Sequence, residues 1–146
     1  MLRRAVKGDE LGIHKLIVEL AVYEKEPNAV IVSSEELGVH LFEDNICAAF
    51  VIEINTEIIG FALYYTSYST WKGKCLYLED FVVTEKHRGQ GYGKDLFLKV
   101  KAEAEKLGVK RMSWQVLDWN ESAIDFYKSF GAELDPEWLN GRFSFE

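Results

Sequence analysis

The run Arg88-Gly89-Gln90-Gly91-Tyr92-Gly93 constrains this chain more than any other segment, because it joins a strand pattern to a helix pattern. Leu76-Tyr77-Leu78-Glu79-Asp80-Phe81-Val82-Val83 enters it as an apolar strand interrupted by two carboxylates. Residues 94–107 leave it with Leu96, Phe97, Val100, Ala104 and Leu107 at helical spacing. Alternate glycines let the backbone approach a ligand closely and aim several N–H groups at one spot. The helix that follows adds the positive end of its dipole there. Such a turn suits a pyrophosphate. A Walker loop is excluded because Gly93-Lys94 is followed by Asp95. A dinucleotide fingerprint is excluded because its last glycine, counted from Gly89, falls on Lys94.

Around this turn the chain reads as one mixed α/β domain over residues 1–146. Residues 2–6 form a short strand, and Asp9 caps a helix with the apolar stripe Ile13, Leu16, Ile17 and Leu20. Ser33 or Ser34, with Glu35 and Glu36, opens a second short helix through about Phe42. Residues 47–54, an Asn55-Thr56 turn and residues 57–65 form a hairpin, and 67–74 reads as a loop. Gly108 closes the long helix, 110–117 forms a strand, and Asn120 caps a helix that runs to Phe130. Residues 133–145 supply one or two final strands. The predicted order is β-α-α-β-β-β-α-β-α-β.

Arg88, Gly91 and Gly93 write Arg-x-x-Gly-x-Gly, which resembles the acetyl-coenzyme A pyrophosphate loop of the GNAT family of N-acetyltransferases. Asn120-Glu121-Ser122-Ala123-Ile124-Asp125-Phe126-Tyr127, ending at Gly131-Ala132, resembles a second segment of that family at the expected distance. Leu16-Ile17-Val18-Glu19-Leu20-Ala21-Val22-Tyr23-Glu24, Gly60-Phe61-Ala62-Leu63-Tyr64-Tyr65, Tyr77-Leu78-Glu79-Asp80-Phe81 and Trp119-Asn120-Glu121 are similar to the spermidine/spermine and thialysine acetyltransferase branch. Residues 27–45 match least. The resemblance implies the α/β GNAT fold. Its mixed, mostly antiparallel central sheet is splayed between the strand before the glycine loop and the next strand, and is flanked by four helices. It also implies acetyl-coenzyme A as co-substrate, direct attack in a ternary complex, and a homodimer.

Amide formation needs an uncharged amine, a polarised thioester carbonyl and a proton for the departing thiolate. An alkyl amine near pKa 10 is protonated at pH 7, so a carboxylate that takes a proton, directly or through water, has a use. Glu79 is a solvated strand carboxylate or, as the resemblance implies, the substrate-side carboxylate acting through water. Asp80 points to the opposite face by strand alternation and reads as structural. Tyr127, among Ala123, Ile124 and Phe130, is by pattern a core aromatic. The resemblance makes it a coenzyme contact and the general acid on the coenzyme A sulfur. Backbone N–H groups at Phe81, Val82 and Val83 are expected to hold the thioester carbonyl. Those of Gly89, Gln90, Gly91, Tyr92, Gly93 and Lys94 are expected to hold the pyrophosphate, with Arg88 at the head of the loop. Asn120 and Ala123 line the pantetheine side. Tyr23 and Glu24 are a helix-end aromatic and a surface acid or, by resemblance, a substrate-contacting pair. Trp71, Trp114 and Trp119 line an aliphatic channel or pack in the core, and Trp114 is included among the candidate substrate contacts.

The formal charge of −7 argues against non-specific nucleic-acid binding, which rests on Lys and Arg at phosphates. It favours approach of a small cation and equally suits plain solubility. His14, His40 and His87 form no cluster, so neither a metal nor a His-based nucleophile is expected. Cys47 and Cys75 lie inside strand patterns without metal-ligand spacing and read as free thiols of a reducing, cytoplasmic compartment. The N-terminus turns charged again at Lys7 and Asp9 before a signal core could form. The apolar runs 46–52 and 58–65 are far shorter than the roughly 20 residues of a membrane span, so no membrane partner is expected. The expected function is transfer of acetyl from acetyl-coenzyme A to a primary amine of a small cation: a polyamine, thialysine or a similar diamine. A protein or peptide lysine, and a non-catalytic acyl-coenzyme A sensor, are the alternatives.

Overall fold

The computed structural model describes residues 1–145. In chain order it contains β1 (Leu2–Arg4), α1 (Glu10–Tyr23), α2 (Ser34–Phe42), β2 (Ala48–Ile54), β3 (Glu57–Ser69) and β4 (Gly73–Val83). A 3₁₀ turn over Glu85–His87 follows, then α3 (Tyr92–Leu107), β5 (Met112–Ser113) and α4 (Glu121–Ser129). Two compact units are formed, Met1–Trp114 and the described residues from Gln115 onward. Among the described residues no helix is long and apolar enough to cross a membrane.

The first unit is a five-stranded sheet in the order β1-β2-β3-β4-β5, antiparallel except for the parallel pair β4–β5. Asn55 and Thr56, both at positive φ, make the tight turn that joins β2 to β3. Helices α1 and α2 cover one face. Ile13 and Leu16 of α1 and Leu37 and Leu41 of α2 pack there on Ala49, Val51, Phe61, Leu63 and Val82. Burying each large apolar side chain contributes about 1.5–3 kcal/mol. Helix α3 covers the other face, where Phe97 meets Phe81 with ring centroids 5.9 Å apart.

Several local expectations hold in detail. The Ser33 side chain caps α2 by accepting the Glu36 N–H, and Gly108 ends α3 in the left-handed region. Others change. Asp9 precedes α1 but makes no capping bond. Its carboxylate accepts the Val6 N–H at 2.8 Å and a forked pair from Arg3 at 2.7 and 3.1 Å, tying β1 to α1. The expected loop 67–74 is hairpin instead: Ser67, Tyr68 and Ser69 pair with Cys75, Lys74 and Gly73. The Ser69 hydroxyl closes the turn by accepting the Trp71 and Lys72 N–H groups. The expected strand 110–117 shrinks to two residues, and the described residues after α4 contain no strand. There Asp135 accepts the Glu137 N–H and the Trp138 indole N–H, a local turn around Pro136 that competes with extended pairing.

Candidate active site

β5 pairs with β4 at only two positions, Leu76↔Met112 and Tyr77↔Ser113. From Leu78 to Val83, no described strand lies along that edge of β4, which is the splay expected of the sheet. The Thr84 N–H donates to the Ile59 carbonyl of β3 at 2.8 Å. Alternation then turns the peptide groups of Phe81 and Val83 toward the open edge, and those of Val82 toward β3. The Val82 side chain is in the α1–α2 core. Phe81 and Val83 are therefore the backbone donors available to a ligand lying along β4.

The glycine loop begins one short turn later. Gly89 and Gly91 have φ of +80° and +87°, which a side chain rarely tolerates, and nothing stands within 4 Å of where a Cβ would be at either. Gly91 is the residue before the first turn of α3, and the Asp95 N–H to Gly91 carbonyl bond is 3.0 Å. The N–H groups of Tyr92, Gly93 and Lys94 at the start of the helix have no intrahelical acceptor. Gln90 and Lys94 are exposed. Open space, unclaimed N–H groups and a helix N-terminus fit a pyrophosphate.

Arg88 turns away from that space. Its Nε donates to the Val83 carbonyl at 2.9 Å, its guanidinium carbon lies 5.5 Å from the Tyr23 ring centroid, and its Nη2 is 3.9 Å from Glu19 Oε2. The other Glu19 oxygen accepts the Thr84 hydroxyl at 2.9 Å. Arg88 thus fastens the head of the loop to the end of α1 that carries Tyr23 and Glu24. Neither Glu19 nor this contact with α1 was legible in the sequence.

The carboxylates meet on the opposite side of β4 from α3, and a break in register is the cause. Asp80 pairs with Leu63, but Leu78, two residues back, pairs with the very next residue, Tyr64. Glu79 is the extra residue of a β-bulge. Asp80 shares the α1–α2 face with its partner Leu63, which belongs to that core. Glu79 reaches the same face, where its Oε1 accepts the Tyr65 hydroxyl at 3.3 Å. Strand alternation therefore fails at this step, and Asp80 does not point away from Glu79. The Tyr65 and Tyr77 rings lie beside them, 5.4 Å apart. Glu24, part-buried at the end of α1, is pushed up from the usual carboxylate range by burial. Burial first, then the negative charges of Glu79 and Glu24, raises Asp80 from 3.8 to about 7. Two adjacent carboxylates inside an otherwise apolar strand were the available signal for the bulge, since alternation would bury one of them unpaired.

Trp114 stands elsewhere: its ring meets Phe97 of α3 edge-on with centroids 5.3 Å apart, on the face opposite the carboxylates. Trp71, at the tip of the β3–β4 hairpin, is 93% exposed. In the second unit, Asn120 caps α4 by accepting the Ala123 N–H at 3.3 Å. Tyr127 on α4 is buried, with its ring 5.6 Å from that of Phe126.

The model of the "Acetyltransferase (GNAT) family" matches residues 13–132. The chain belongs to the GNAT acetyltransferase family. It is an acetyl-coenzyme A-dependent N-acetyltransferase. The chain is similar to a thialysine N-epsilon-acetyltransferase of Bos taurus, 42% identical over 91% of this chain and 84% of that protein. It is also similar to spermidine/spermine N(1)-acetyltransferase-like protein 1 of Homo sapiens, 35% identical over 99% of this chain and 22% of that longer protein. Among solved structures, an aminoglycoside acetyltransferase from an uncultured soil metagenomic sample has the same fold, with a TM-score of 0.81 at 21% identity, covering 100% of this chain and 96% of that one.

Proposed function

We propose that the acceptor of this acetyltransferase is a primary amine of a small cation with two amino groups: a polyamine, thialysine or a similar diamine. The observation that carries the reading is the acidic face of β4, where Glu79 and Asp80 lie on the same side and act electrostatically with Glu24 of α1. A diamine brings two positive charges. One ammonium needs a fixed counter-charge, and the other must lose a proton before it attacks. Opposite charges in a partly desolvated site contribute about 1–3 kcal/mol, roughly 5–150-fold over a monoamine. The substrates named for the thialysine and spermidine/spermine relatives support the same reading.

Acetyl-coenzyme A supplies the activated acetyl group. In this reading the N–H groups of Gly89 through Lys94 hold its pyrophosphate, and those of Phe81 and Val83 hold the thioester carbonyl as negative charge grows on oxygen. Tyr127 protonates the departing sulfur, Asn120 and Ala123 contact the pantetheine, and Tyr23 with Glu24 holds the distal end of the amine. The amine attacks directly in a ternary complex. A homodimer in the cytoplasm completes the proposal, and the free thiols Cys47 and Cys75 suit a reducing compartment. The test is release of coenzyme A thiol from acetyl-coenzyme A with a panel of amines, the product identified by its added acetyl mass. Acetylated diamines support the reading. A panel in which only peptide lysines react, or no amine reacts, refutes it.

A further inference from the structure

We infer that Asp80, the neighbour of Glu79, is the proton acceptor for the attacking amine, while Glu79 and Glu24 serve as counter-charges for its distal ammonium. The inference rests on the diamine reading above and assigns the proton within that site. Glu79 is exposed and already accepts the Tyr65 hydroxyl, an arrangement suited to keeping a charge in place. Asp80 is part-buried on the α1–α2 face, opposite Leu63 and two residues before the buried Val82. The charged groups acting on it are Glu79 along the strand and Glu24 from α1, and Tyr77 is the titratable ring alongside. Those neighbours and its burial are why it titrates at about 7, where a carboxyl both takes and releases a proton near neutrality. It also precedes Phe81, whose N–H faces the open edge of β4. Proton acceptor and carbonyl-holding donor are thus consecutive residues of one strand.

Asp80 carboxylate takes one proton from the substrate ammonium, leaving a neutral amine. The nitrogen lone pair forms a C–N bond to the thioester carbonyl carbon, and the C–S bond breaks with its electron pair on sulfur. The second proton shed by nitrogen ends on sulfur through the acid role assigned to Tyr127. Asp80 then releases its proton to water, so the net reaction yields acetylated amine, coenzyme A thiol and one proton.

The experiment records kcat/KM for 1,4-diaminobutane from pH 5.5 to 9.5, together with the carboxyl carbon resonances of aspartate-labelled protein without substrate. The wild-type rate constant is expected to rise through an ionisation near 7, and one aspartate carbon to titrate there. Asp80→Asn should lose that resonance and that ionisation, with activity at pH 7 falling about 100-fold or more. Its defect should shrink toward pH 9.5, where more of the amine arrives deprotonated. Glu79→Gln and Glu24→Gln should keep the ionisation, moved to lower pH because a repelling charge is gone. Acetyl-coenzyme A affinity of Asp80→Asn, unchanged within about three-fold by calorimetry, separates a lost base from a lost fold. Should it fall further, Asp80→Glu takes its place and must restore the ionisation. An unchanged profile in Asp80→Asn, or loss of the ionisation in Glu79→Gln, overturns the assignment and leaves diamine acetylation standing. Failure of the wild-type protein to acetylate any diamine removes both.

Discussion

Replacing Asp80 by Asn should make the protein more stable at pH 8. The folded chain holds the Asp80 proton up to about 7, whereas an unfolded aspartate releases it near 3.8. Between those values the folded state binds more protons than the unfolded one. This carboxyl therefore costs stability as pH rises through that window, and its cost is complete above about 7. At about 1.4 kcal/mol per decade, the ceiling is about 4 kcal/mol at pH 8 and about 1.5 kcal/mol at pH 5. Asn fills the same space and cannot ionise. For a chain of this length, each kcal/mol moves the melting temperature by about 3–4 °C. Urea unfolding of both proteins at pH 5 and pH 8 reads the difference directly. The gain should be largest at pH 8 and less than half as large at pH 5. A loss at pH 8, or a gain independent of pH, would refute the claim that Asp80 is held against repulsion and burial.

Four more outcomes follow from the same geometry. Gly91→Val forces a β-branched residue to φ of +87° and should weaken acetyl-coenzyme A binding, by calorimetry, at least about ten-fold more than Arg88→Ala, which frees a side chain turned toward α1. Arg88→Ala should act instead on the amine, raising its Michaelis constant several-fold through the loosened Tyr23-Glu24 end of α1. Glu24→Gln should raise the Michaelis constant for diamines about 5-fold or more and leave monoamines near wild type, with the difference shrinking as salt is added. Tyr127→Phe should lower kcat by about 100-fold with little change in amine Michaelis constant, as removal of an acid on the leaving sulfur requires.

What the sequence disclosed was local chemistry. Ser33 before Glu36, Gly108 after the α3 stripe and Asn55-Thr56 between two apolar runs each act through their immediate neighbours and are found as cap, helix stop and hairpin turn, and Gly89 and Gly91 make the expected turn into α3. The misses are non-local. Whether Glu79 and Asp80 share a face depends on which β3 residues oppose them, and the bulge that decides it is a property of the pair of strands. The hairpin over Ser67 to Gly73 reads as polar loop until its partner is known. The turn of Arg88 toward α1 depends on Glu19 and Tyr23, sixty-odd residues away. The motif gives Tyr127 its role on sulfur, and its burial beside Phe126 matches the core aromatic that pattern alone implies.

The measurement that tests the central claim most directly is the ratio of kcat/KM for 1,4-diaminobutane to that for butylamine, taken with saturating acetyl-coenzyme A at low salt. The two amines share a chain and differ by one ammonium, so the ratio isolates the counter-charge that Glu24 and Glu79 supply. The ratio is expected to be roughly 5–150-fold in favour of the diamine, falling toward one in the Glu24→Gln, Glu79→Gln double variant. Equal rates for the two amines with the wild-type protein would contradict it.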